Sequence, residues 1–213
     1  MALTPVQVRI LGCMLEKERT TPDSYPLTMN GLLSACNQTS NRNPVVHLDE
    51  ATVGNALQNL RAENLVRIVY SRSNRADKYR HVLDDAMGLD GAELALLAVL
   101  MLRGPQTASE LRARSERLHR FDDQAEVDEA LRRLGARPQP LVGLLERQPG
   151  QKESRGAQVL GGELPGGERS VPVDAPGPSR ADRLAALEEA VEALRNELAR
   201  LRADHDALAS QLT

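Results

Sequence analysis

The chain repeats itself, and the repeat limits the folds open to it. Laying LTPVQVRILGCML (Leu3–Leu15) over LDGAELALLAVLM (Leu89–Met101) puts Val8, Ile10, Leu11, Met14 and Leu15 on Leu94, Leu96, Leu97, Leu100 and Met101. Each set is the apolar stripe of a helix, with Thr4 or Asp90 placed as its N-cap. DEATVGNALQNL (Asp49–Leu60) over DQAEVDEALRRL (Asp123–Leu134) repeats Asp, Ala, Val, Ala, Leu and Leu at six shared offsets. Val53, Ala56, Leu57 and Leu60, then Val127, Ala130, Leu131 and Leu134, stand at i, i+3, i+4 and i+7, one face of a helix. Between them TMNGLL (Thr28–Leu33) and TASELR (Thr107–Arg112) each open a short helix on a Thr cap.

Two strand-like runs follow each third helix. They are LVRIVY (Leu65–Tyr70) and KYRHVL (Lys78–Leu83) around the polar SRSNRAD, then LVGLLE (Leu141–Glu146) and RGAQVL (Arg155–Leu160) around RQPGQKES. Both pairs read as hairpins. In the first strand Leu65, Arg67 and Val69 alternate with Val66, Ile68 and Tyr70, which leaves open which set is buried. Helix, helix, helix, strand, turn, strand, twice over, predicts a mainly α chain with small β-hairpins (α+β). The expected fold is two tandem winged helix-turn-helix domains, residues 1–86 and 87–160. With one Phe, three Tyr and no Trp, their cores must be aliphatic.

Residues 161–179 are rich in Gly and Pro and read as a flexible linker. Residues 180–213 hold neither, and Leu184, Leu187, Val191, Leu194, Leu198, Leu201, His205, Leu208 and Leu212 recur in steps of three and four. That seam predicts a coiled-coil helix and a homodimer, with Arg183 facing Glu188 and Glu197 facing Arg202 across a parallel pair.

In a helix-turn-helix the second helix of the motif enters the major groove. With Val53, Ala56, Leu57 and Leu60 inward, the opposite face carries Asn55, Gln58 and, at its margin, Asn59. Asn and Gln can bind adenine through two hydrogen bonds, so these are the base-edge candidates. The phosphate candidates are Gln38, Ser40, Asn41, Arg42, Arg61, Arg72, Arg75, Lys78 and Arg80, joined by Lys152 and Arg155 on the second hairpin. Residues 38–83 hold seven Lys/Arg against four Asp/Glu, although the chain as a whole carries −3. That overall charge excludes a generally basic, nucleic-acid-coating protein. The second copy's third helix turns Ala125, Glu129 and Arg132 outward, with Glu126 and Asp128 beside them, and these carboxylates disfavour phosphate. Gln38, Ser40 and Asn41 also belong to a residue class that makes turns and caps.

No catalytic pattern stands out. His47, His81, His119 and His205 are dispersed, none at ligand spacing with Cys13 or Cys36. The chain has no phosphate-binding glycine loop and no GxSxG elbow. The expectation is a non-enzyme without cofactor or metal. The two cysteines are expected to be free, buried thiols in a reducing, cytoplasmic compartment. The N-terminus lacks a secretory pattern, and the longest apolar run, Leu94–Leu102, is too short to span a bilayer.

LTPVQVRILGCMLEKERTTPDSYPLTMNGLLSACNQTSNRNPV at the start, with RGPQTASELRARSERLHRF and PLVGLLERQPGQKESR later, resembles the YceH-like family of bacterial proteins over residues 3–160. The resemblance implies two winged helices in one chain and no particular biochemical role. Asn43 stands where the family pattern leads one to expect an acidic residue. Two functions follow as expectations. One is a dimeric DNA-binding protein, a transcriptional regulator, that reads double-stranded DNA with its first half. The alternative is a protein-docking scaffold without DNA binding, similar to the kleisin-binding subunit of bacterial condensin.

Overall fold

The structure, a computed structural model, describes residues 2–70, 76–145 and 153–162. All of them fall in one compact unit, Met1–Asp174. The linker from residue 163 on and the expected coiled-coil seam (Leu184, Leu187, Val191, Leu194, Leu198, Leu201, Leu208) lie outside the described residues, as do Arg72, Arg75 and Lys152.

The first copy is α1 (Pro5–Thr20), β1 (Leu27–Thr28), α2 (Met29–Cys36), α3 (Glu50–Ala62), β2 (Val66–Val69) and β3 (Lys78–His81). A short helix α4 (Leu83–Met87) leads to the second: α5 (Gly91–Arg103), α6 (Ala108–Ser115), α7 (Gln124–Gly135), β4 (Val142–Leu145) and β5 (Arg155–Gln158). The caps form where the sequence places them. Thr4 and Asp90 each accept from the N3 backbone N–H, and Gln7 or Glu93 reaches back to close a capping box. Thr28, Asp49, Thr107 and Asp123 cap the other four long helices. Each side chain satisfies a donor that the first turn leaves open.

The hairpins close in parallel ways. Leu65 N–H donates to Leu60 C=O and Leu141 N–H to Leu134 C=O, so each first strand is tied to the end of the preceding helix. Val82 N–H then donates to Leu65 C=O, and Val159 N–H to Leu141 C=O. In the first copy β1 extends the sheet to the order β1-β3-β2; in the second a single bridge, Gln106 with Gly156, stands in its place. The expected strand to Leu83 ends at His81, because His81 Nδ1 accepts the Leu83 N–H and the chain turns into α4. Gly88, at φ +59°, ends that helix in the left-handed region that glycine adopts without strain.

The copies are not separate in packing. α1 lies against α5, and the two copies contribute to one continuous cluster of buried side chains. Gly12 marks the closest approach: a Cβ there would stand 2.9 Å from Met101 Cβ and 3.0 Å from Leu102 Cγ. Leu3 N–H also donates to Leu160 C=O, tying the start of the first copy to the end of the second. The boundary at residue 86 divides the pattern and topology, while the core runs across it. Among the described residues no helix is long and apolar enough to cross a membrane.

Candidate nucleic-acid interface

α3 presents two opposed faces. Val53, Ala56, Leu57 and Leu60 are buried against α1 and α2, as the spacing requires. Asn55, Gln58 and Asn59 are exposed, and their side chains make no hydrogen bond among the described residues. Arg61, in the last turn, is also exposed. The helix packs on β2, so it shares an edge with the hairpin.

Register decides which hairpin face is free. Val66 pairs with His81, Arg67 with Arg80, Ile68 with Tyr79 and Val69 with Lys78. Directly opposed residues share a face, and faces alternate along a strand. Val66, His81, Ile68 and Tyr79 therefore form the inner face, joined by Leu27 of β1, which pairs with Tyr79. Val66, His81 and Leu27 are buried, which settles the ambiguity of the alternating strand. Tyr25 reinforces this side: its hydroxyl accepts the His81 N–H, and burial pushes the phenol's pKa up. His81, only 2% exposed, meets Glu18 Oε2 at 3.0 Å through Nε2, and that hydrogen bond holds the Glu18 carboxyl below its ordinary pKa.

The outer face collects Arg67, Arg80 and Lys78. Arg67 and Arg80 are directly opposed, a position that holds Cβ atoms roughly 4.5–5.5 Å apart and penalises like charges. None of the three has a carboxylate within ion-pair distance among the described residues. Three unneutralised cations on one small sheet face would be relieved by an anion.

Arg67 was missing from the sequence-derived set, although its exposed position on a strand opposite another arginine is the strongest of these signals. Only the register could have revealed it. Other candidates do not hold a free position. Arg42 is not a surface cation: it is 6% exposed, and its guanidinium meets Glu16 at 3.0 and 2.6 Å while also donating to Ala35 C=O. A charge this deep is retained because a carboxylate pairs with it. Burial would raise the Glu16 pKa, but the hydrogen bond and charge of Arg42 outweigh it and hold the carboxyl below its usual value.

The neighbouring polar residues build the same turn. Gln38 accepts from Lys17 Nζ at 3.0 Å and donates to Ser40. Asn41, at φ +59°, accepts from the Arg103 guanidinium. Asn37 clasps Leu48 through both amide atoms, at 2.8 and 2.7 Å. Ser40 and Asn41 remain exposed; Gln38 is half-buried. On the second hairpin Arg155 is tied to Glu110 at 2.8 Å and to Pro105 C=O, so it is a strut between hairpin and helix.

Cys13 and Cys36 are free and buried, as expected. A hydrogen bond from the Cys13 side and burial push the Cys36 thiol up.

Comparison with known proteins places the chain in a family. The family model described as "Protein of unknown function, DUF480" matches residues 3–151. A UPF0502 protein of Pelobacter propionicus is 48% identical over 207 residues, covering 95% of this chain and 94% of that one. The UPF0502 protein GSU0233 of Geobacter sulfurreducens is 48% identical over 197 residues, 90% of each chain. The UPF0502 protein Smlt0097 of Stenotrophomonas maltophilia is 46% identical over 208 residues, 94% of each. Matched by the model over more than half its length and by such relatives over 90–95% of it, the chain belongs to the DUF480 family, whose relatives here are UPF0502 proteins.

Proposed function

We propose that this is a DNA-binding protein with two tandem winged helices, of the YceH-like kind, that reads double-stranded DNA with its first half and acts in the cytoplasm as a transcriptional regulator. One observation carries the reading. The outer face of the β2–β3 hairpin holds Arg67, Lys78 and Arg80 without carboxylate partners among the described residues, and the hairpin packs beside the helix that exposes Asn55, Gln58 and Asn59. The cations would contact phosphate, and the amides base edges. Arg61 would extend the phosphate contact, with Arg72 and Arg75 from the sequence between the two strands. The C-terminal seam would pair two copies, so Leu187→Asp with Leu194→Asp in the full chain should give a monomer by sedimentation. The reading needs no catalytic group.

The test is fluorescence anisotropy with labelled genomic duplexes across a salt series. Log affinity should fall linearly with log salt, and Arg67→Ala with Arg80→Ala should reduce that slope by about 2, one per lost phosphate contact. A curve indifferent to salt, or a double variant that binds like wild type, removes the proposal.

The second reading is a docking scaffold. The exposed face of α7 favours it, since Glu126, Asp128 and Glu129 would repel phosphate there. A purified basic partner that binds wild type but not Glu126→Lys with Glu129→Lys, in a chain that retains no nucleic acid, would decide for it.

A further inference from the structure

A cavity of about 370 Å³ opens where the two copies meet, and it does not touch the proposed DNA face. Its apolar walls come from both: Val6 of α1, Val46 and Leu48 of the segment before α3, and Leu100 and Met101 of α5. The volume lies within the range of small-molecule sites, which are mostly apolar with a few placed polar groups. The placed group here is Arg9. It lines the cavity, is only 5% exposed, and donates to two carbonyls, Pro44 C=O through Nη2 and, at 3.5 Å, Cys36 C=O through Nη1.

Carbonyls satisfy hydrogen bonds without neutralising charge. Arg9 has no carboxylate within ion-pair distance among the described residues. The nearby Glu16 carboxylate is taken by Arg42 through both guanidinium Nη atoms. Among the described residues Arg9 and Arg42 are thus two buried guanidiniums beside one buried carboxylate, Glu16, which Lys17 Nζ also approaches at 3.4 Å. Burial and the charge of Arg42 both lower the Arg9 pKa, with the largest part from burial. Retaining an uncompensated buried cation is costly, whereas a carboxylate supplied from outside would meet the planar guanidinium fork through paired hydrogen bonds. Gln158 also lines the cavity, and its amide N–H₂ makes no hydrogen bond among the described residues. The second copy offers no equivalent site, because the position that matches Arg9 in the repeat is Ala95.

We infer that this cavity binds a small organic carboxylate with an apolar body, its head on Arg9 and its tail against Val6, Val46, Leu48, Leu100 and Met101. The site stands independently of the DNA-binding proposal. Octanoate and cinnamate are suitable probes, with octanol as the neutral control, titrated calorimetrically into the full chain. At least one acid should saturate at one per chain. The alcohol should bind at least about tenfold more weakly, the loss expected for a hydrogen bond to a charged group. Val46→Trp, at a half-exposed position on the wall, should abolish binding while leaving the thermal midpoint in place. Arg9→Met should abolish it as well. Should either variant fail to fold, methionine-methyl NMR on wild type decides: octanoate or cinnamate should move the Met101 resonance and leave that of Met87 on α4 in place. The inference is overturned if neither acid saturates, if octanol binds as well as octanoate, or if Met101 is unmoved by a bound acid.

Discussion

The two copies share a skeleton and differ in almost every position that carries charge. Glu16, Arg9 and Gly12 of α1 fall on Leu102, Ala95 and Ala98 of α5 when the repeat is superposed. Where the first copy has the Glu16–Arg42 pair, the second has at the position matching Glu16 the apolar Leu102, which packs against Gly12 of α1, and before α7 a buried Phe121, with His119 edge-on to the ring at 4.7 Å. The first hairpin gathers Arg67, Lys78 and Arg80. The second opposes Leu144 to Gly156 and ties its one strand arginine to Glu110. The shared positions, caps and apolar stripes, are sufficient for the topology. The unshared ones are where the chemistry sits, and among the described residues the buried cation without a carboxylate partner, Arg9, lies in the first copy.

The largest test of that contrast is the ion pair. Arg42→Met should destabilise the chain by about 3–5 kcal/mol in urea denaturation, because it leaves the buried Glu16 carboxylate with only the Lys17 ammonium, at 3.4 Å, as a charged partner. Glu16→Leu with Arg42→Met, which brings the apolar chemistry of the second copy into the first, should recover most of that loss. A double variant as weak as the single one would show that the pair positions the turn rather than occupying an apolar slot.

Next comes the shared core. Gly12→Val forces a side chain into the place where α1 meets Met101 and Leu102, so it should cost about 1–3 kcal/mol. If the two copies are one cooperative unit, the denaturation curve should shift as a single transition at both tyrosine fluorescence, which comes from Tyr25, Tyr70 and Tyr79 of the first copy, and backbone ellipticity. Two resolved transitions would make the copies energetically independent.

A smaller effect concerns pH. Glu16 and Glu18 both titrate below their ordinary range in the folded chain. A carboxylate lowered on folding contributes stability above its unfolded pKa, about 4.3 for Glu, and loses it as pH falls through the folded value. The urea midpoint should therefore be level with respect to these two groups from neutral pH to about 5 and decline below that. The Glu16→Leu, Arg42→Met double variant should decline less steeply. Equal slopes in the two chains would sever Glu16 from acid stability.

How much of this was legible in the sequence follows from range. Caps at Thr4, Thr28, Asp90 and Thr107 are local chemistry, so residue type and spacing suffice; Asp49 and Asp123, read in the sequence only as a repeated position, turn out to cap α3 and α7 in the same way. The inward stripe of α3 is equally local, and the exposure of Asn55, Gln58 and Asn59 follows from it. Arg42 misled because a loop arginine reads as solvated, while its partner stands 26 residues away on α1. Arg9 and its cavity were illegible for the same reason: they depend on how α1, α5 and the second hairpin converge. Arg67 went unread because the face of an alternating strand depends on register across a turn, which no periodicity within one strand reports.

The smallest effect tests the hairpin contrast in the free protein. Arg67 and Arg80 oppose each other on an exposed face, and directly opposed like charges destabilise an antiparallel pair. Arg67→Thr introduces a residue suited to strands and removes the repulsion, so the chain should gain about 0.2–1 kcal/mol. The gain should shrink with added salt as screening weakens the repulsion in wild type. The same change at Leu144, on the second hairpin, has no charge to relieve and should give no salt-dependent gain. If Arg67→Thr destabilises the chain instead, the arginine contributes packing through its aliphatic stem, and the cationic face is a stable feature of the fold rather than a strained one awaiting an anion.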